Sequence, residues 1–149
     1  MTVRIDLHTH STVSDGTDAP GEVVARAAEA GLDVVALTDH DSTAGWAEAS
    51  AAARAHGIVL VPGMEVSCRA GGVSVHLLSY LHDPADAALL AELEETRDSR
   101  RHRAHRMVEL LARDLPITWA DVEAQTEPGT TVGRPHVAVD VHVHRIANR

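Results

Sequence analysis

Apolar residues in this chain fall into short blocks separated by amphipathic stretches. Val3 to Leu7, Val34 to Leu37 and "IVLVPGMEVSC" have the length and branched apolar content of strands. Between them, "APGEVVARAAEAG" and "STAGWAEASAAARAHG" read as helices. Pro20 suits a first helical turn, and Gly31 and Gly57 suit C-terminal caps. Strand, helix, strand, helix, strand is the βαβ pattern of a parallel sheet, so the fold class is α/β. "RAGG" then marks a turn and "VSVHLLSYL" a fourth strand. Asp86 to Arg113 reads as helix with room for a break at its charged middle, and Pro116 ends it. "TWADVEAQ" makes a short helix and "EPGTTVGRPH" a loop.

Composition narrows the function. The 149 residues suffice for one domain with a core, and 44% hydrophobic with 23% charged residues is an ordinary globular balance. The N-terminus lacks the pattern of a signal peptide, no apolar run approaches a membrane span, and a single cysteine, Cys68, leaves no internal disulfide; a cytoplasmic protein is expected. A formal net charge of -9 argues against a general nucleic-acid or membrane binder. Aromatic residues are 2% of the chain, so base-stacking platforms are not expected.

The polar residues that need explaining gather where the predicted strands end. "IDLHTHSTVSDG" places His8 and His10 after the first strand and Asp15 in its loop. Asp39, His40 and Asp41 follow the second, Glu65 follows the third, and His76 lies in the fourth. With 11 histidines, about one His-x-His is expected by chance, so the pair alone says little. Each other residue also has an ordinary reading. Asp15 before Gly16 is a good turn residue, His40 sits in a helix-entry cluster, Glu65 suits a surface and His76 suits a core. Together, however, they occupy the ends of successive strands, which converge on one face of a parallel α/β sheet. Two His at i and i+2 on extended chain point the same way and can reach one ion. Imidazole and carboxylate without thiolate suit zinc, manganese or iron, and such ions can bind a phosphate and generate hydroxide near neutral pH.

"DLHTHSTVSDG", "ALTDHDSTAG", "PGMEVSC" and "VHLLSY" resemble the successive motifs of the polymerase and histidinol phosphatase (PHP) family, in its branch of bacterial metal-dependent phosphoesterases acting on nucleotides and short RNA. The resemblance runs from Val3 to about Ala138. It implies a distorted seven-stranded β/α barrel, of which this chain holds the N-terminal half plus a small helical insertion. It implies two or three divalent ions (Mn, Zn or Fe) on His8, His10, Asp15, His40, Glu65 and His76, with Glu65 bridging two. "VGRPHVA" resembles a segment reaching the active site, which makes Arg134 and His136 phosphate contacts. The implied activity is hydrolysis of a phosphoester in a nucleotide or short nucleic acid by metal-bound hydroxide. An amidohydrolase also uses His-x-His at a first strand end, but the Asp-Gly loop and the Thr-Asp-His-Asp cluster fit the phosphoesterase better. The third reading is a truncated, inactive remnant, or a metal-binding module that needs a partner.

The chain departs from the family in length. A full barrel of this type takes roughly 200–250 residues, and the family's later ligands belong beyond residue 149. The expected organisation is 1–84 as barrel, 85–135 as helical insertion and 136–149 as an atypical tail, frameshifted, truncated or naturally shortened. That tail, "AVDVHVHRIANR", has strand periodicity and carries Asp140, His142 and His144, which are candidates for replacement ligands. An incomplete barrel leaves sheet edges uncovered, with self-association as the consequence. Seven Arg or His side chains lie between Arg97 and Arg106. They read as a solvated helix face or as a lip that draws an anion toward the metals.

Overall fold

A computed structural model describes residues 2–124 and Val137. Its elements are β1 (Ile5–Thr9), α1 (Pro20–Glu29), β2 (Val34–Leu37), α2 (Trp46–His56), β3 (Val59–Ala70), β4 (Val73–Tyr80), α3 (Ala87–Leu111) and α4 (Trp119–Ala124). They form a four-stranded sheet ordered β1-β2-β3-β4. β1 and β2 are parallel, with Ile5 opposite Val34, and β2 and β3 are parallel, with Val34 opposite Val59. The two βαβ units expected from the apolar pattern are therefore present.

The helix ends follow local chemistry. Pro20 opens α1, and Glu22 accepts a hydrogen bond from the Ala19 N–H at 3.0 Å, satisfying a backbone donor left over at the helix start. Gly31 (φ 76°) and Gly57 (φ 70°) take the left-handed conformation that terminates α1 and α2. The apolar faces of α1 and α2 meet β2 in one core of Val24, Ala27, Val35, Leu37, Ala49 and Ala53. Alanine at the contacts lets helix and sheet approach closely. A second cluster joins Ala104 and Val108 of α3 to Ile117, Val122 and Val137.

Three expectations need correction. β3 does not end near Glu65 but runs to Ala70, so Glu65 lies inside the strand. β4 is antiparallel to β3, paired from Gly63–Tyr80 to Ala70–Val73, and His76 sits within a hairpin rather than at a parallel strand's end. The physical reason is the "RAGG" turn. Gly71 (φ 56°) and Gly72 (φ 83°) are both left-handed, as a two-residue hairpin turn requires, and two residues cannot carry a parallel crossover. Finally, α3 is continuous through its charged middle. Among the described residues, no helix is long and apolar enough to cross a membrane.

Parts of the sheet are uncovered. Ile5 and Leu7 on β1, and Val73, Val75 and Leu77 on β4, are exposed apolar residues. Leu37, by contrast, is 1% exposed at the centre of the first core. Leu37→Ala is expected to destabilise the fold by about 2–5 kcal/mol. Urea unfolding should show this as a lower midpoint with an unchanged slope.

Candidate metal centre

The six side chains His8, His10, Asp15, His40, Glu65 and His76 converge on one cleft. Glu65 is at its middle. Its Oε2 accepts from His8 Nε2 at 2.8 Å and lies 2.9 Å from His10 Nε2, while its Oε1 accepts from His76 Nδ1 at 2.6 Å. His40 Nδ1 is 3.8 Å from the same carboxylate. Asp15 closes the other side, 3.3 Å from His10 Nδ1 and 3.5 Å from His40 Nε2. Three groups have one ligand atom per residue, all within 4.8 Å of one another: His8–His10–Glu65, His10–Asp15–His40 and His40–Glu65–His76. Imidazole nitrogens and carboxylate oxygens at that spacing fit divalent zinc, manganese or iron. The Glu65 and His40 side chains are 8% and 11% exposed, whereas those of His8 and His76 are 49% and 45% exposed, so the cluster has a buried floor and an open rim.

The register explains the convergence. His8 lies in β1 and His10 just after it; the pairing of β1 with β2 is irregular between Asp6 and Thr9, which re-aims this segment. An isolated parallel bridge pairs His40 with Glu65. His76 reaches the same place from β4, through its register partner Ser67.

Buried carboxylates that are not in the cluster hold its loops. Asp39 accepts from the Ser11 N–H, the Ser11 hydroxyl and the Ser14 hydroxyl, each at 2.7 Å, which ties the β1 loop to the end of β2. Gly16 closes that loop by donating its N–H to Ser11 O at 2.9 Å. A Cβ there would lie 2.4 Å from His10 O, so only glycine fits. Asp41 (φ 51°) is fully buried, accepts from the Ser67 N–H at 2.7 Å and pairs with Arg100 Nε at 3.1 Å. These supports were visible in the sequence only as a Ser-rich loop and two aspartates flanking His40. The helix-entry reading does not hold: α2 starts at Trp46 with Gly45 as its N-cap and no side-chain cap, and Ser42 Oγ accepts from the Ala44 N–H in the loop before it.

Electrostatics favour a neutral His40 and an ionised Glu65. Burial lowers the pKa of His40, assisted by the Arg100 and His10 charges and opposed by Glu65 and Asp15. Burial pushes Glu65 upward, but hydrogen bonds from His8 and His76, with the charges of His40 and His10, overcome it, and the net shift is down. A cavity of about 970 Å³ adjoins the cluster. Asp15, His40 and His76 form one wall, and Arg100 and Arg103 of α3 another. Part of the basic stretch therefore faces the cleft rather than open solvent alone. Arg134 and His136, and Asp140, His142 and His144, lie outside the described residues.

Imidazoles and carboxylates gathered in one cleft beside a β/α sheet are the layout used by barrel-type metal-dependent hydrolases. Comparison with known proteins agrees. The PHP domain model matches residues 6–116, and the chain belongs to that family. It is 48% identical over 104 residues to a 3',5'-nucleoside bisphosphate phosphatase of Chromobacterium violaceum, covering 70% of this chain and 36% of that protein. It is 41% identical over 104 residues to a 5'-3' exoribonuclease of Haemophilus influenzae, covering 70% and 38%. A crystal structure from Bifidobacterium adolescentis, of a protein proposed to be a metal-dependent phosphoesterase, superposes with a TM-score of 0.91 at 41% identity, covering 98% of this chain and 52% of that one. A Chromobacterium violaceum structure described as an amidohydrolase, with bound sulfate and no metal, superposes with a TM-score of 0.84 at 39% identity, covering 93% and 49%. The fold is thus part of a PHP barrel, and the chain spans roughly a third to a half of the length of these relatives.

The lowered His40 and Glu65 values set the acid sensitivity of the metal-free protein. Unfolded His40 takes up a proton near the ordinary imidazole value of 6.5, while folded His40 does so only at lower pH. His82, lowered by burial against the opposing charge of Asp83, behaves alike. The unfolded state then binds more protons, so stability falls as pH drops below about 6.5. Below 4.5 Glu65 adds a second loss as its carboxylate is neutralised. Urea midpoints measured from pH 7.5 to 4 should decline in both windows; a flat profile would contradict the assignment. Gly16→Ala should also weaken metal uptake, read by calorimetry, because the added Cβ displaces the His10 backbone.

Proposed function

We propose that His8, His10, Asp15, His40, Glu65 and His76 hold two or three divalent ions, manganese, zinc or iron. The ions serve hydrolysis of a phosphoester in a nucleotide or short nucleic acid. One observation carries the reading: both oxygens of a single buried carboxylate, Glu65, face different imidazoles, the arrangement expected of a bridging ligand. The ions supply the positive charge that an acidic chain lacks and lower the pKa of water for attack on phosphorus. The protein's own part is to hold the ligands fixed, with Glu65 and His40 shielded and His8 and His76 at the open rim where substrate enters. Arg134 and His136 are assigned to the substrate phosphate on the resemblance of "VGRPHVA" to a segment of the family that reaches the active site.

The names of the relatives, a bisphosphate phosphatase and an exoribonuclease, support this substrate class. The neighbour described as an amidohydrolase suggests C–N hydrolysis as an alternative. Its bound sulfate favours the phosphoesterase, since sulfate is a tetrahedral oxyanion shaped like phosphate. The cytoplasm is the assigned compartment. The exposed apolar residues of β1 and β4 are where a second polypeptide, including another copy of this chain, would pack.

Purified protein loaded with Mn²⁺ and offered adenosine 3',5'-bisphosphate should release inorganic phosphate, and EDTA should abolish the release. Hydrolysis of an N-acyl amide in its place would favour the amidohydrolase. Glu65→Gln should weaken Mn²⁺ binding by more than the ~10–100-fold cost of losing a supporting hydrogen bond. Arg134→Ala should lower kcat/KM by roughly 10–100-fold with metal content unchanged, corresponding to a charge-assisted contact of about 1.5–3 kcal/mol. Arg134→Lys should restore only part of it, because an ammonium lacks the guanidinium fork. Parental kcat/KM in Arg134→Ala would remove this arginine from the site.

A further inference from the structure

We propose that Asp41, gripped by Arg100, is a positioning residue that locks the metal ligands of β2, β3 and β4 into one geometry and fastens α3 to them. The proposal rests on the metal reading above. Asp41 itself is not among the clustered ligand groups. Its carboxylate instead faces the protein: Oδ1 accepts from the Ser67 N–H at 2.7 Å, and Oδ2 forms an ion pair with Arg100 Nε at 3.1 Å. Arg100 Nη2 also donates to the Ser67 hydroxyl, so Asp41, Ser67 and Arg100 form a closed ring of contacts. The Asp41 backbone is engaged as well. Its N–H donates to Glu65 O at 3.1 Å, and its carbonyl accepts from Arg97 Nη1 at 3.4 Å.

Three of the six clustered residues are reached from this one residue. His40 is its chain neighbour. Glu65 receives its backbone N–H. His76 is the register partner of Ser67, which its carboxylate holds. The backbone of Asp41 is left-handed (φ 51°), a region disfavoured for a residue with a side chain. Its Asp41 side chain is fully buried, and that of Arg100 is 15% exposed. A buried charge pair in that setting does little for net stability against an apolar substitute; here it closes a ring whose two hydrogen bonds, Ser67 N–H to Asp41 and Arg100 Nη2 to the Ser67 hydroxyl, supply the direction. The arrangement enforced here joins the ligand-bearing strand ends to the helix across the cavity. Ser67 and Arg100 line that cavity together with His40 and His76.

The test is Mn²⁺ calorimetry on the intact chain and its variants Arg100→Met, Arg100→Lys and Asp41→Asn, with thermal midpoints recorded in EDTA. Arg100→Met keeps an unbranched apolar stem and leaves both strands untouched, so it decides the matter if Asp41→Asn does not fold. A positioning role predicts a loss of Mn²⁺ affinity of about 10–100-fold in Arg100→Met. Arg100→Lys should recover part, because it keeps the charge but not the two-pronged contact with Asp41 and Ser67. A folded Arg100→Met that binds Mn²⁺ with parental affinity and stoichiometry overturns the proposal, even if its midpoint in EDTA falls, because that result marks a structural pair only. A parent chain that takes up no Mn²⁺ overturns the metal reading itself, and the positioning role with it.

Discussion

The Glu65 carboxylate, set among the imidazoles of His8, His10, His40 and His76, is the interaction on which the rest of the site depends. A carboxylate so nearly removed from water is costly unless its charge is met. Here hydrogen bonds from two histidines and the field of two more meet it, and its pKa moves down despite burial. The same crowding brings imidazole rings to within about 5 Å of one another, with centroids 5.1 Å apart for His8–His10 and 4.8 Å for His10–His40. If those rings were protonated together they would repel each other. In His40, burial pushes toward the neutral form.

Holding such a cluster requires buried polar groups elsewhere, and the fold places them in pairs about His40. Asp39 binds the β1 loop through Ser11 and Ser14, and Asp41 binds β3 and α3 through Ser67 and Arg100. Both are buried; Asp39 is met by three hydrogen bonds, whereas Asp41 has one hydrogen bond, from the Ser67 N–H, and an ion pair with Arg100 that lacks hydrogen-bond geometry. The apolar core lies behind them, on the α1 and α2 side of the sheet. The division of labour is physical: the apolar side chains supply non-directional burial, and the two aspartates supply direction.

Charge is distributed unevenly. The chain carries a net -9, yet Arg100 and Arg103 face the cavity beside the cluster. Arg100 is committed to Asp41, while Arg103 is exposed. The same cavity is lined by the carboxylates of Asp15, Glu92 and Glu95, so the arginines offset acidic neighbours there. The exposed apolar residues of β1 and β4 belong to the same picture of a barrel only partly enclosed within these residues.

The sequence by itself determined the elements and the ligand candidates. Pro20 marks a helix start because its fixed φ suits the first turn, and Gly31 and Gly57 mark helix ends through the left-handed conformation that side chains disfavour; the short apolar runs identify β1, β2 and β3. His8, His10, Asp15, His40, Glu65 and His76 were legible because each stands near a strand end or on an alternating strand. Only tertiary structure decided how they meet. The direction of β4 turned on two left-handed glycines, and Glu65 proved to lie within β3 because that strand continues into the hairpin, past the edge of the parallel sheet. The roles of Asp39 and Asp41 were not legible either. An aspartate beside a histidine has the same local pattern whether it binds an ion or a backbone N–H. The difference lies in partners 25 to 28 residues away for backbone and hydroxyl donors, and 59 for Arg100. No window of sequence spans contacts at that range; the packing of α3 and the strand register create them.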